Sequence, residues 1–255
     1  MARFSDSKNP KLTVMIQGNT ADEVISVIKK TIPQGAEAFC ILTESLDPHD
    51  KSKESIKRII DAAEGMDTYM TNYIRSNSQP ELSDDRLAEQ LLDMARMGAK
   101  LIDVRGDIFC RSTDEITQDL YAVKKQKELI SEIHQLGAEV LMSTHIFEYR
   151  SPERILEIAK LQQSRGVDIA KIVTVANSAK ESDDAFMTNF ILKNSLNIPF
   201  LFLCNGSRCR MHRMLGPMLG SCMYLCLENS KTCGPQPTIE EAKMLRDKLK
   251  ENNNG

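Results

Sequence analysis

Asp168-Ile169-Ala170-Lys171-Ile172-Val173-Thr174-Val175 is an apolar run rich in β-branched residues, the composition of a parallel strand buried on both faces. Just upstream, Ser151-Pro152-Glu153-Arg154 joins an N-cap serine to a proline at the first helical position, and Gly166 stops the helix so opened. Residues 139–143 (Glu-Val-Leu-Met-Ser) read as the strand before that helix. Strand, helix and strand in close succession make a βαβ unit, which requires a parallel sheet.

The same rhythm extends in both directions. Towards the N-terminus, the predicted strands cover residues 11–17, 36–42, 66–74 and 101–104. The helices between them begin at Asn19 or Thr20, at Ser52 and at Ser83, and a helix over 119–135 stops at Gly137. Towards the C-terminus, helix 178–194 leads to strand 199–204. A short helix at 212–215, strand 221–227 and a final helix over 239–252 complete the pattern. Eight strand-then-helix units in 255 residues predict a (β/α)8 TIM barrel, one α/β domain over residues 1–255 with a frayed tail at 251–255. A doubly wound open sheet is the competing architecture. It would carry a glycine-rich phosphate turn after the first strand, and Gln17-Gly18-Asn19-Thr20 is not one.

Composition narrows the function classes. Hydrophobic residues at 41% and charged residues at 27% are ordinary for a soluble domain, and a net charge of -3 offers no electrostatic case for nucleic acid or an anionic membrane. The opening Met1-Ala2-Arg3-Phe4-Ser5-Asp6-Ser7-Lys8 lacks an apolar signal region, and no apolar run approaches the roughly 18 residues of a transmembrane helix. The expectation is a cytoplasmic protein. Seven cysteines without a secretion signal argue against a disulfide framework. Cys204, Cys209, Cys222 and Cys226 do not have zinc-ribbon spacing and read as buried reduced thiols.

Lys171 is the residue that does not belong in its strand. A buried ammonium must pair its charge or lose its proton, and a neutral lysine amine attacks carbonyl carbon. Placed just past strand five, His145 can move protons near neutral pH. Neighbouring strands lie about 4.8 Å apart, so the two side chains can converge on one ligand at the C-terminal mouth of the barrel, where such folds keep their active sites. Schiff-base chemistry favours a lysine pKa of roughly 7–8 against an ordinary 10.4, a shift of about 4 kcal/mol. Apolar neighbours Ile169, Ile172 and Val173, with a cation such as Arg213, are the expected source of that shift.

Five segments in register resemble the type I 3-dehydroquinate dehydratases. Ser143-Thr144-His145-Ile146-Phe147 is similar to the family's Ser-Tyr-His-Asp-Phe, and Asp168-Ile169-Ala170-Lys171-Ile172 to its segment around the Schiff-base lysine. Asn205-Gly206 through His212-Arg213 resembles its Met-Gly-x-x-Gly-x-x-Ser-Arg loop. Leu219-Gly220-Ser221 resembles Phe-Gly-Ser, and Cys233-Gly234-Pro235-Gln236 resembles Ala-Pro-Gly-Gln. The resemblance implies a commonly dimeric barrel in the shikimate pathway, acting on a small oxo-acid without metal or organic cofactor. It implies Lys171 as imine nucleophile, His145 as general acid and base, Arg213 as ligand of the substrate carboxylate, and Gln236 as partner of its hydroxyls.

The first half departs from that pattern. The family's Glu-x-Arg after strand two is matched by Cys40-Ile41-Leu42 followed by Thr43-Glu44. Its Thr-Phe-Arg on strand three becomes Thr71-Asn72-Tyr73 with Arg75 two places on, its Glu-Gly-Gly has no clear counterpart in residues 76–80, and the Asp after the catalytic His is Ile146. Sites that hold several hydroxyls lose specificity steeply when polar partners go. Three readings follow: dehydration of 3-dehydroquinate; Schiff-base lyase or aldolase-like chemistry on another oxo-acid; and a non-catalytic barrel that binds a small carboxylate.

Overall fold

The computed structural model describes residues 4–6, 8–73, 82–229 and 234–253. Eight strands alternate with helices in the order β1 (Lys11–Ile16), α1 (Ala21–Thr31), β2 (Ala38–Leu42), α2 (Lys53–Ala62), β3 (Asp67–Thr71), α3 (Asp84–Arg96), β4 (Leu101–Arg105) and α4 (Leu120–Gln135). The second half continues with β5 (Glu139–His145), α5 (Pro152–Gln163), β6 (Ile169–Val175), α6 (Ala179–Ser195), β7 (Phe200–Asn205), α7 (Arg210–Leu215), β8 (Met223–Cys226) and α8 (Ile239–Asn253). Every neighbouring pair is parallel, and β8 returns to β1 with Leu12 opposite Tyr224. Between β7 and β8 the ring is held by the Phe200–Ser221 bridge and by Cys222 N donating to Phe200 O at 2.9 Å, which leaves the barrel nearly closed. The predicted (β/α)8 barrel is the observed fold.

Boundaries moved where local chemistry outweighs hydrophobicity. Within the run 168–175, β6 begins only at Ile169, because Asp168 turns its carboxylate onto Val140 N and His134. β5 runs two residues beyond the expected 139–143, so His145 is the last residue of its strand rather than a residue past it. The expected strand over 66–74 ends at Thr71 within the described residues, and Ile74 and Arg75 lie outside them. The caps at Thr20, Ser52, Ser83 and Ser151 are observed, each side chain accepting from a backbone N–H in the first turn.

Strand periodicity sorts the core into two parts. Val14, Ile41, Met70, Val104, Met142 and Ile172 pack outward under the helices, whereas Ala38, Leu101, Leu141, Ile169, Leu201 and Met223 fill the lumen. Lys171 alternates with Ala170 and Ile172 of the outer layer, so its side chain shares the lumen with Ile169 and Val173. Cys204, Cys209, Cys222 and Cys226 are buried free thiols.

Phe4 closes the lower end of the lumen. It is 1% exposed, packs edge-to-face on Tyr69 with ring centroids 6.4 Å apart, and is anchored by its backbone N donating to Glu139 Oε2 at 2.9 Å. Truncating a buried phenylalanine removes its transfer energy and leaves a cavity. Phe4→Ala should therefore cost about 3–5 kcal/mol of stability, measured by denaturant unfolding; a loss under about 1 kcal/mol would show that the plug carries no packing energy.

Candidate active site

The C-terminal half of the lumen is polar. Lys171 Nζ, on β6, donates to Tyr69 Oη of β3 at 2.9 Å and to Asp103 Oδ2 of β4 at 3.1 Å. Tyr69 Oη donates to the same Asp103 oxygen at 2.5 Å, and Ser143 Oγ of β5 donates to Asp103 Oδ1. All four side chains are buried. Of the two ways to accommodate a buried lysine, the structure uses pairing. The apolar flanks expected to act on Lys171 are present, but its neighbour is a carboxylate rather than the cation Arg213. Burial, with Asp103 beside it, pushes the Tyr69 phenol well above its ordinary value and keeps it a neutral donor.

Above this layer opens a cavity of about 300 Å³, whose walls include Lys171, Asp103, His145, Glu44, Thr71 and Tyr73. Lys171 and His145 are thus brought to one chamber by the β5–β6 register, which sets Ser143 beside Lys171 and His145 beside Val173. Glu44, in the turn after β2, accepts from Thr71 Oγ1 at 2.7 Å; burial raises its pKa. Cys40 stands in the same wall, its thiol raised chiefly by burial.

Glu115, in the loop between β4 and α4, holds His145. Its Oε2 accepts the His145 backbone N–H at 2.8 Å, lies 3.8 Å from His145 Nδ1, and also accepts the Tyr73 hydroxyl. The Tyr73 and His145 rings lie 4.2 Å apart. Two backbone features bring Glu115 there. Its φ is +47°, and its carbonyl, which accepts from Thr144 Oγ1, runs so close to Gly106 that a β-carbon on that glycine would collide with it. Desolvation by burial lifts Glu115 to about 7, against the opposing pull of the His145 N–H and the Lys171 charge.

The other two predicted residues are placed differently. Arg213, on α7, is buried; its Nε donates to Cys204 O at 2.7 Å and an Nη to Asn205 Oδ1 at 2.5 Å, and it is not among the residues lining the cavity. Burial lowers it to about 10. The loop leading to it turns at Gly206, φ +125°, where a β-carbon would strike Ala176 O. Gln236 Nε2 contacts Met15 Sδ at 3.6 Å, and Met15 lines the cavity. Arg75 and Cys233 lie outside the described residues.

Sequence reasoning missed Tyr69, Asp103 and Glu115. Asp103 had a signal, since an acid inside Leu101-Ile102-Asp103-Val104 breaks an apolar strand just as Lys171 does. Glu115, on an irregular loop, had none. A larger depression of about 740 Å³, lined in part by Pro199, Phe200, Tyr224 and Arg246, lies at the start of β7, the end opposite the lysine.

Family and fold both have matches among known proteins. A family model described as Type I 3-dehydroquinase matches residues 12–253. The 3-dehydroquinate dehydratase of Pyrococcus abyssi is 23% identical over 229 residues, covering 88% of this chain and 93% of its own. Among solved structures, the type I 3-dehydroquinate dehydratase of Clostridium difficile with covalently modified comenic acid superposes with a TM-score of 0.80 at 16% identity, covering 95% of this chain and 93% of that one. The 3-dehydroquinate dehydratase of Geobacillus kaustophilus gives 0.81 at 15% identity, covering 95% and 92%.

The raised Glu115 carboxyl makes stability depend on pH. Between its ordinary 4.5 and about 7 the folded chain binds a proton that the unfolded chain has released, so this group makes stability fall as pH rises through that window. Glu115→Gln should flatten the fall between pH 5 and 7 in calorimetric melts. An unchanged slope would remove Glu115 as its source.

Proposed function

This chain belongs to the type I 3-dehydroquinase family, and on that footing we propose that it dehydrates 3-dehydroquinate to 3-dehydroshikimate through an imine on Lys171. The observation that supports this most is the shared chamber: a buried lysine amine and a histidine open onto one cavity at the C-terminal end of a barrel. Lys171 adds to the ketone and expels water. The resulting iminium acidifies the neighbouring C–H by drawing its electron pair toward nitrogen. His145 removes that proton, then returns it to the departing hydroxyl. Glu115 steadies His145 in place of the aspartate that Ile146 replaces. Hydrolysis frees the enone and the lysine.

Arg213 and Gln236 complete the reading as partners of the substrate carboxylate and hydroxyls. Gln236 is supported by its contact with cavity-lining Met15, and Arg213 by its place at the end of β7 beside Asn205. One observation favours a second reading, imine chemistry on a different oxo compound: the chamber carries the carboxylates of Glu44 and Asp103 beside Lys171. We also infer a cytoplasmic homodimer, the dimer on the ground of the family's commonly dimeric barrels; no helix among the described residues is long and apolar enough to cross a membrane.

Borohydride added during incubation with 3-dehydroquinate should leave one reduced adduct on Lys171 by intact and peptide mass, and none on the Lys171→Ala protein. No adduct with dehydroquinate or a panel of 2- and 3-oxo acids would sink both readings; an adduct without growth of enone absorbance would leave only the second. His145→Ala should retain the adduct while turnover falls by about 10²–10⁴-fold. Arg213→Ala should raise KM at least about tenfold, since a charged hydrogen bond is worth roughly 1.5–3 kcal/mol; an unchanged KM removes it from carboxylate binding.

A further inference from the structure

The imine mechanism above gives Asp103 no role, although its carboxylate meets the reacting amine. It is the nearest carboxylate to the reacting nitrogen, 3.1 Å from Lys171 Nζ, while His145 lies one inward-facing position further along the sheet, opposite Val173. Both of its oxygens are fixed, Oδ2 by Tyr69 and Lys171 and Oδ1 by Ser143, so three neighbouring strands aim one carboxylate at one amine. It borders the cavity itself, so a carbonyl carbon bonding to Nζ would bring its oxygen within the carboxylate's reach.

We propose that Asp103 is a catalytic residue, the acid–base partner of Lys171 in making and breaking the imine, with Tyr69 and Ser143 as its positioning residues. The inference rests on the imine reading above and assigns the proton transfers at nitrogen, which that reading leaves open. Asp103 takes a proton from the Lys171 ammonium, giving a neutral amine and a neutral acid. The amine forms a bond to the carbonyl carbon, and the carbonyl π pair moves to oxygen. Asp103 delivers its proton to that oxygen and takes one from the now cationic nitrogen, leaving a neutral carbinolamine. It then gives this proton to the hydroxyl, which leaves as water while the nitrogen lone pair forms the C=N bond. Three protons began on nitrogen; one ends there and two leave in the water. The iminium that remains faces the Asp103 carboxylate as the ammonium did. His145, holding the C–H and hydroxyl protons, is left free of this work.

The groups facing the pair are Tyr69 on β3, Cys40 on β2, Ser143 and His145 on β5, Glu44 after β2 and Glu115 before α4. Each stays in place in the test. Wild-type protein and Asp103→Asn, the latter first checked by near-UV circular dichroism, are mixed with 3-dehydroquinate, quenched into borohydride at intervals and weighed, from pH 6 to pH 10. Wild-type trapping establishes the imine reading independently; no wild-type adduct at any pH would fail that reading and this one with it. Given a wild-type adduct, Asp103→Asn should trap at least about a hundredfold more slowly at pH 7, the low end of what a positioned acid–base supplies. It should not recover at pH 10. If Asp103 only balances charge, its loss eases deprotonation of Lys171, and trapping at wild-type rate at either pH overturns the proposal. Should Asp103→Asn not fold, Ser143→Ala keeps the carboxylate but removes a donor to it, so the acid limb of the trapping profile should move to higher pH; an unmoved limb is the overturning result.

Discussion

The ion pair between Lys171 and Asp103 governs how this barrel is assembled. Two charges taken out of water cost several kcal/mol each, and the structure recovers that cost only where geometry and extra hydrogen bonds are good. Those bonds come from Tyr69 on β3 and Ser143 on β5, so the pair is satisfied only when four strands stand in their observed register. A slip of one residue in β6 would exchange Lys171 for Ala170 or Ile172 in the lumen and press an ammonium against the helix layer. The polar layer therefore ties the register of four strands together, while the apolar floor beneath it and the layer under the helices bury the hydrophobic surface that drives folding.

Vertical ordering follows from the same constraint. Phe4, Leu101, Leu141, Ile169 and Met223 give the lumen an apolar floor, the ion pair and its donors come next, and the chamber with His145, Glu44 and Tyr73 opens above them. Low dielectric beneath Lys171 strengthens its interactions with whatever binds over it. Glu115 belongs to the mouth rather than the floor, and its partial burial is what holds it near neutrality.

The architecture was readable because eight apolar runs alternate with capped helices, and because Pro152, Gly137 and Gly166 punctuate the second half clearly. Lys171 and His145 were readable for a different reason: a charge or an imidazole at the end of such a run has to be explained. Asp103 carries the same kind of signal, an acid inside the strand read over 101–104, and only the fold shows that it faces Lys171. Nothing in the sequence marked Glu115. Its position depends on a left-handed backbone and on the close approach to Gly106, which arise only when the β4–α4 loop folds over β5. The motif at Arg213 located the residue but not its side chain, because Cys204 O and Asn205 Oδ1 compete for the guanidinium.

The plug at Phe4 ties folding order to chain order. Its anchor, Glu139, lies 135 positions downstream, and its stacking partner Tyr69 is on β3. During synthesis, therefore, Phe4 emerges before all five of the strands that must be made to complete its binding place. Contacts of such long range raise contact order and slow folding, and apolar surface left exposed meanwhile is open to aggregation. The floor of the barrel is thus laid by a segment upstream of every strand it closes, and it can be laid only after β5 has been made.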